Sequence, residues 1–189
     1  MAISSVLDGR SRIALLSTYP PTQCGLATFS AALRGHLGSR ADVVRVVDQP
    51  VTRSSPDVVG HLVNGSTASA SSAVRRLNDY DAVIVQHEYG IFGGPDGVEV
   101  VDLVENLTVP TIVVLHTVLE KPTPNQREIL QRLVRAADAL VTMTETAQRR
   151  VIDLYGADPA TVQTIPHGAV NHHKDAGGRA PGARPPASL

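Results

Sequence analysis

Short runs of β-branched apolar residues, each closed by polar residues and followed by a stretch of helical spacing, constrain this chain more than any other feature. The clearest example is residues 81–122, DAVIVQHEYGIFGGPDGVEVVDLVENLTVPTIVVLHTVLEKP. Residues 82–85 form a continuous apolar run, which suits a strand covered on both faces rather than one with a wet side. Gln86, His87 and Glu88 follow it, where an open parallel sheet presents polar groups to a ligand. Gly90, Gly93, Gly94, Pro95 and Gly97 then form a turn. Val100, Val101, Val104 and Leu107 mark a helix, and Pro110 opens a second buried strand that ends at His116.

The same rhythm runs through the rest of the chain. Residues 12–18 read as a first strand, stopped by Pro20 and Pro21, because two prolines do not continue a helix or a central strand. A helix starts near Leu26, with Leu26, Phe29, Leu33 and Leu37 along one face and Gly38 as its stop. Residues 42–48 form a second strand and 57–63 a weaker third. The serine- and alanine-rich residues 65–72 resemble a linker but read as the entry to a helix ending near Asp79, with Val74 and Leu77 inward. Residues 124–137 alternate Ile129, Leu130, Leu133 and Val134 with Arg127, Glu128, Gln131, Arg132 and Arg135, an amphipathic helix. A strand over 138–143, a helix over 144–155 with Thr144 as N-cap and Gly156 as stop, and a last strand over 162–165 complete the pattern.

Strands alternating with helices imply an α/β fold: a Rossmann-like parallel β-sheet with helices on both faces and right-handed crossovers. From Asn171 the composition shifts to Pro, Gly, Ala and charge, so the expected division is one domain over 1–170 and a disordered tail over 171–189. The length of 189 residues suits one domain of the usual ~100–200 residues.

Several functional classes fall away. A net charge of −1 and an aromatic share of 3% leave no basic, base-stacking surface, so nucleic acid is not an expected partner. The single cysteine, Cys24, forms no intramolecular disulfide and fits a reducing compartment. Residues 1–12 lack a signal-peptide h-region, and no apolar run approaches the roughly 20 residues of a membrane helix. The expected location is the cytoplasm, including the periphery of the inner membrane face. His87-Glu88 lacks the second histidine of a zinc-peptidase motif, since Ile91 stands there. No Walker motif and no Gly-x-Gly-x-x-Gly fingerprint occur. His167, His172 and His173 are a poor metal set because two lie in the tail, so no metal is expected. Cys24 reads as a small buried residue beside a tight turn in preference to a nucleophile.

Two loops remain, residues 21–25 and 90–97. Each puts glycine where backbone can approach a ligand, just before a helix whose free N–H groups attract anions or hydroxyls. Each also fits a plain tight βα turn, and His116 also fits a capped core histidine. Taken together at one sheet edge, they favour a site.

STYPPTQCGLATFSAAL near the start, QHEYGIFGG and VVLHTVL in the middle, and AADALVTMTETAQRRVIDLYGADPATVQTIPHG near the end resemble the family 4 glycosyltransferases, specifically their N-terminal, acceptor-side domain. The likeness covers about residues 12–170. It implies half of a GT-B fold and hexosyl transfer from a nucleotide sugar to a carbohydrate or lipid acceptor with retained anomeric configuration. It also implies no cofactor, the nucleotide sugar being substrate. By the same likeness, Thr22, Gln23, Cys24 and Gly25 lie near the donor phosphates and His116 contacts the transferred sugar. His87, Glu88, Tyr89, Gly93 and Gly94 line the acceptor side. Family members are roughly twice as long, a second domain binding the donor. The chain is therefore expected to be a half-enzyme, slow or inactive alone, with a separate donor domain or a homodimer as its partner. A second class is a non-catalytic carbohydrate- or partner-binding module derived from such an enzyme. A flavodoxin-like reading lacks an acidic cluster at the first strand end.

Overall fold

The computed structural model describes residues 8–52 and 55–167, so the expected tail over 171–189 lies outside the described residues. Seven strands form one parallel sheet in the order β3-β2-β1-β4-β5-β6-β7. The strands are β1 (Ile13–Ser17), β2 (Ala41–Val47), β3 (Val58–Val63), β4 (Ala82–His87), β5 (Thr111–Leu115), β6 (Ala139–Thr142) and β7 (Val162–Thr164). Five helices connect them: α1 (Gly25–Leu37), α2 (Thr67–Leu77), α3 (Glu99–Glu105), α4 (Pro124–Ala136) and α5 (Glu145–Tyr155). The expected Rossmann-like sheet is what forms.

The helix ends follow from their capping residues. Ser66, Thr123 and Thr144 each accept a first-turn N–H with the side chain, and Thr123 and Gln126 complete a reciprocal capping box. The serine-rich stretch thus belongs to a helix because Ser66 caps it and Ala73 and Leu77 bury its inner face. Gly156, at φ 78°, closes α5 in the left-handed region that glycine tolerates.

Side chains alternate between the two sheet faces, and the faces are covered unequally. Ala14, Leu16, Val44, Val83, Val85, Val113 and Leu140 pack beneath α2, α3, α4 and α5 in the main core. On the opposite face, Ile13, Leu15 and Val43 pack with Leu33 and Leu37 of α1 in a smaller cluster. Helix α1 departs from the simple stripe expected of it. Its buried residues are Ala27 and Ser30, and Ser30 Oγ lies 2.7 Å from Ser17 Oγ of β1. Small residues bring the helix close to the sheet, which leaves Leu26, Phe29, Leu33 and Leu37 half-buried along its flank.

Beyond α1, no helix among the described residues covers the second face, so β4 and β5 are sealed by the described residues on one side. Ile84, Ile112, Val141 and Met143 are half-buried and, with Phe29 and Leu33, line a groove of about 660 Å³. Ile165 at its rim is 57% exposed. No helix among the described residues is long and apolar enough to cross a membrane.

The unequal cover predicts unequal sensitivity. Leu140→Ala, on the sealed face at 1% exposure, should lower unfolding free energy by about 2–5 kcal/mol. Ile165→Ala should cost less than about 1 kcal/mol. Urea denaturation of both variants checks the contrast, and equal losses would contradict it.

Candidate functional site

In an open parallel sheet, ligands bind outside the carboxyl ends of the strands, where the strand order reverses. Here the reversal falls between the neighbours β1 and β4, paired from Ile13↔Ala82 to Leu16↔Val85. The loop after β1 carries Thr22, Gln23, Cys24 and Gly25 into α1; the loop after β4 carries Glu88 to Gly97 toward α3. The two loops singled out in the sequence therefore flank the crevice, with the end of β5 next to it.

On the β1 side, Cys24 is the N-cap of α1, and its Sγ accepts from Ala27 N at 3.3 Å and lies 3.4 Å from Thr18 Oγ1. Cys24 is exposed, which corrects the reading of it as a buried packing residue. The helix starts here, so this side chain must face the solvent-filled crevice to reach the first-turn N–H groups. Gln23 and Gly25 are exposed and Thr22 half-buried. A Cβ on Gly25 would meet nothing within 4 Å, so that backbone is open to approach.

The β4 side is more rigid. Glu88 is half-buried; its Oε1 accepts from Tyr89 N at 3.0 Å and its Oε2 from Thr117 Oγ1 at 2.5 Å. Tyr89 donates to Gln126 O at 3.3 Å and stands edge-on to His87 at 5.0 Å. The glycines of this loop serve the loop itself. The Glu99 carboxylate fills the space a Gly93 side chain would need, and a Cβ on Gly94 would meet Val98 Cγ1 at 2.7 Å. Gly97, at φ 75°, would drive a Cβ to 2.6 Å from Tyr89 O. Asn64, reaching Asp48 and Ile91 O, and Asn125 and Gln126, both on Asp96, fasten the loop from either side.

The third part was only half visible in the sequence. His116 is half-buried at the end of β5, its Nε2 2.7 Å from Gln86 Oε1. The contact couples the His116 ring to the buried Gln86 amide. Phe29 of α1 meets the ring of His116 edge-on at 5.0 Å and that of His167 at 5.3 Å; the two imidazoles are 5.9 Å apart. Phe29 thus joins α1 to the ends of β5 and β7. His87 is 1% exposed, so its ring stands behind the rim rather than on it. Gln86 was expected at this strand end but not as the partner of His116, and Phe29 and His167 were not expected in this cluster. The period of α1 assigned Phe29 to the core. Among the described residues no group of three or more His, Cys, Asp or Glu side chains could hold a metal. His172 and His173 lie outside the described residues.

Burial pushes the His116 imidazole down to about 4, helped by the charge of His167. Burial also lowers His87 to about 4, with His116 adding to it. Both rings are therefore neutral near pH 7, and the half-buried His116 is suited to hydrogen bonding with a neutral ligand group.

Comparison with known proteins bears on the family and the fold. Residues 25–170 match the family Glycosyltransferase Family 4. A 71-residue stretch is 41% identical to a D-inositol 3-phosphate glycosyltransferase of Kineococcus radiotolerans, covering 32% of this chain and 16% of that protein. The homologous enzyme of Acidothermus cellulolyticus is 37% identical over a stretch of the same length and coverage. The fold resembles Anabaena HepE, solved with UDP and glucose, at a TM-score of 0.58, 13% identity, and coverage of 84% of this chain and 45% of that one. A glycosyltransferase of Rickettsia africae follows at 0.55 and 10%, covering 84% and 43%. The chain spans less than half the length of either structure.

Two outcomes follow. An unfolded imidazole titrates near 6.5, so below that pH the unfolded chain takes up protons that the folded one refuses until about 4. Stability should therefore fall as pH drops from about 6.5 to about 4, and His116→Asn should make that fall shallower; a pH-independent urea midpoint would contradict it. Gly97→Ala should destabilise by roughly 1–3 kcal/mol, since it adds a backbone clash to a positive φ.

Proposed function

The chain belongs to glycosyltransferase family 4, and on that premise we propose that it forms the acceptor-side wall of a glycosyl-transfer cleft. The reaction is transfer of a hexosyl group from a nucleotide sugar to a carbohydrate or lipid acceptor, with retention at the anomeric carbon. One observation carries the reading: the Thr22–Gly25 loop, the Glu88–Tyr89 segment and His116 leave three neighbouring strands at the point where the sheet order reverses.

In this reading Thr22, Gln23, Cys24 and Gly25 face the donor phosphates. The N–H groups at the start of α1, with no acidic residue in its first turn, favour the negative charge that builds on the departing diphosphate. His116 touches the transferred sugar: its Nε2 is held by Gln86 and its neutral ring hydrogen-bonds a sugar hydroxyl. Glu88 and Tyr89 line the acceptor side, while His87, Gly93 and Gly94 support that wall from behind. No cofactor is required, since positioning and charge stabilisation supply the catalysis.

The donor-binding wall is supplied by further polypeptide, in cis or in a partner, which accords with coverage of 45% and 43% of the two solved structures. A second reading is a carbohydrate- or partner-binding module that retains the crevice without turnover.

An assay of sugar release from a panel of nucleotide sugars, UDP-glucose among them, separates the two. The expected result is weak donor binding with slow release. Any release should drop by about 10²-fold in His116→Ala, and the product should keep its anomeric configuration by NMR. Binding without turnover, even with a donor domain added, favours the module; an inverted product contradicts the proposed reaction.

A further inference from the structure

Arg45 is a cation in a place that normally excludes one. It lies on β2, between Ser17 of β1 and His61 of β3, and is 7% exposed. A guanidinium stays charged in a protein, and a buried charge is normally paired with an opposite one. Among the described residues, no carboxylate comes within ion-pair distance of Arg45. Its Nη2 donates to the neutral Thr22 Oγ1 at 2.9 Å, and its Nε is buried with no hydrogen-bond partner. The charge is felt locally: burial lowers the His61 pKa first, and the positive field of Arg45 lowers it further.

The direction in which Arg45 points gives this meaning. Like Ser17, Arg45 faces the α1 side of the sheet, beneath the loop that ends at the N-cap Cys24. That loop delivers the 13-residue helix α1, whose first turn holds no acidic side chain and whose Gly25 faces open space. A helix start alone would say little. Here a side chain more than nine-tenths buried, with an orphaned N–H, is tied to the residue two before the N-cap.

We propose that Arg45 is a positioning residue for an anion: through Thr22 it holds the β1–α1 loop ready for a phosphate-bearing ligand, whose oxygens dock on the Gly25 and Leu26 N–H groups and balance the buried charge. The idea rests on the reading of this loop as the phosphate side of the crevice, and it adds the residue that charges it. Without ligand the desolvated guanidinium has no carboxylate among the described residues to balance it, so Arg45 weakens the empty protein and serves the occupied one.

The test is thermal unfolding of the chain with inorganic phosphate and, separately, with UDP. Wild type should rise in Tm with at least one; a response to phosphate alone marks a monoester and a response only to UDP a diphosphate. Arg45→Met should leave the ligand-free Tm equal to or above wild type and weaken the anion response at least tenfold. Arg45→Lys should recover part of the response. Thr22→Val, which keeps the charge but removes its hydrogen-bond partner, should lower the ligand-free Tm and weaken the anion response, and it carries the test should Arg45→Met not fold. A lower ligand-free Tm in Arg45→Met with an undiminished anion response would overturn the proposal, as would a wild type indifferent to both anions. An intact, Arg45-dependent response in a protein that never transfers sugar would sink only the enzymatic reading.

Discussion

The pairing of β1 with β4 is the constraint on which the rest of the molecule depends. Two strands almost seventy residues apart lie side by side at the centre of the sheet, with the chain winding outward from each in opposite directions. Their register is pinned at the entry by Arg12 N donating to the Asp81 carboxylate at 2.7 Å and by Asp81 N donating to Arg12 O at 3.0 Å. A slip of one residue would turn Leu16 and Val85 away from the sealed core. Because that pairing holds, the loops that follow the two strands must part to opposite faces, and the gap between them is the crevice.

The crevice has one wall of exposed backbone and one wall tied by hydrogen bonds. On the β1 side, exposed Gln23, Cys24 and Gly25 offer backbone and helix dipole to a ligand. On the β4 side, Glu88, Asn64, Asn125 and Gln126 anchor a loop whose glycines answer to its own packing. Between them, Gln86 holds the ring of His116 by a hydrogen bond, and burial keeps that imidazole neutral. A wall that donates from one side and is braced on the other suits sugar and phosphate recognition, where geometry and desolvation do most of the selecting.

The sequence made the architecture legible because strand and helix periods alternate cleanly and caps such as Thr144 and Gly156 mark their ends. It also placed both loops and His116 at one sheet edge. What it concealed depends on contacts between distant elements. Phe29 reads as one more core residue of α1 until the helix is seen to sit on its small residues, which frees the ring to meet His116 and His167. Cys24 reads as buried until its thiol is seen capping α1. Gly93 and Gly94 read as ligand-facing until Glu99 and Val98 are found in the space they leave. Arg45 interrupts the apolar run of β2, and only its depth shows that the charge lacks a carboxylate partner among the described residues. That no helix among the described residues covers the second face of β4 to β6 was invisible for a related reason: a continuous apolar run reports that a strand can be buried, not what covers it.

The most direct measurement of the central claim is a map of backbone amide shifts during titration of the labelled chain with UDP-glucose. The account predicts perturbations concentrated in residues 22–26, 86–90 and 115–118, along the carboxyl edges of β1, β4 and β5. Shifts gathered elsewhere, such as the amino ends of the strands, with those three segments silent, would contradict it.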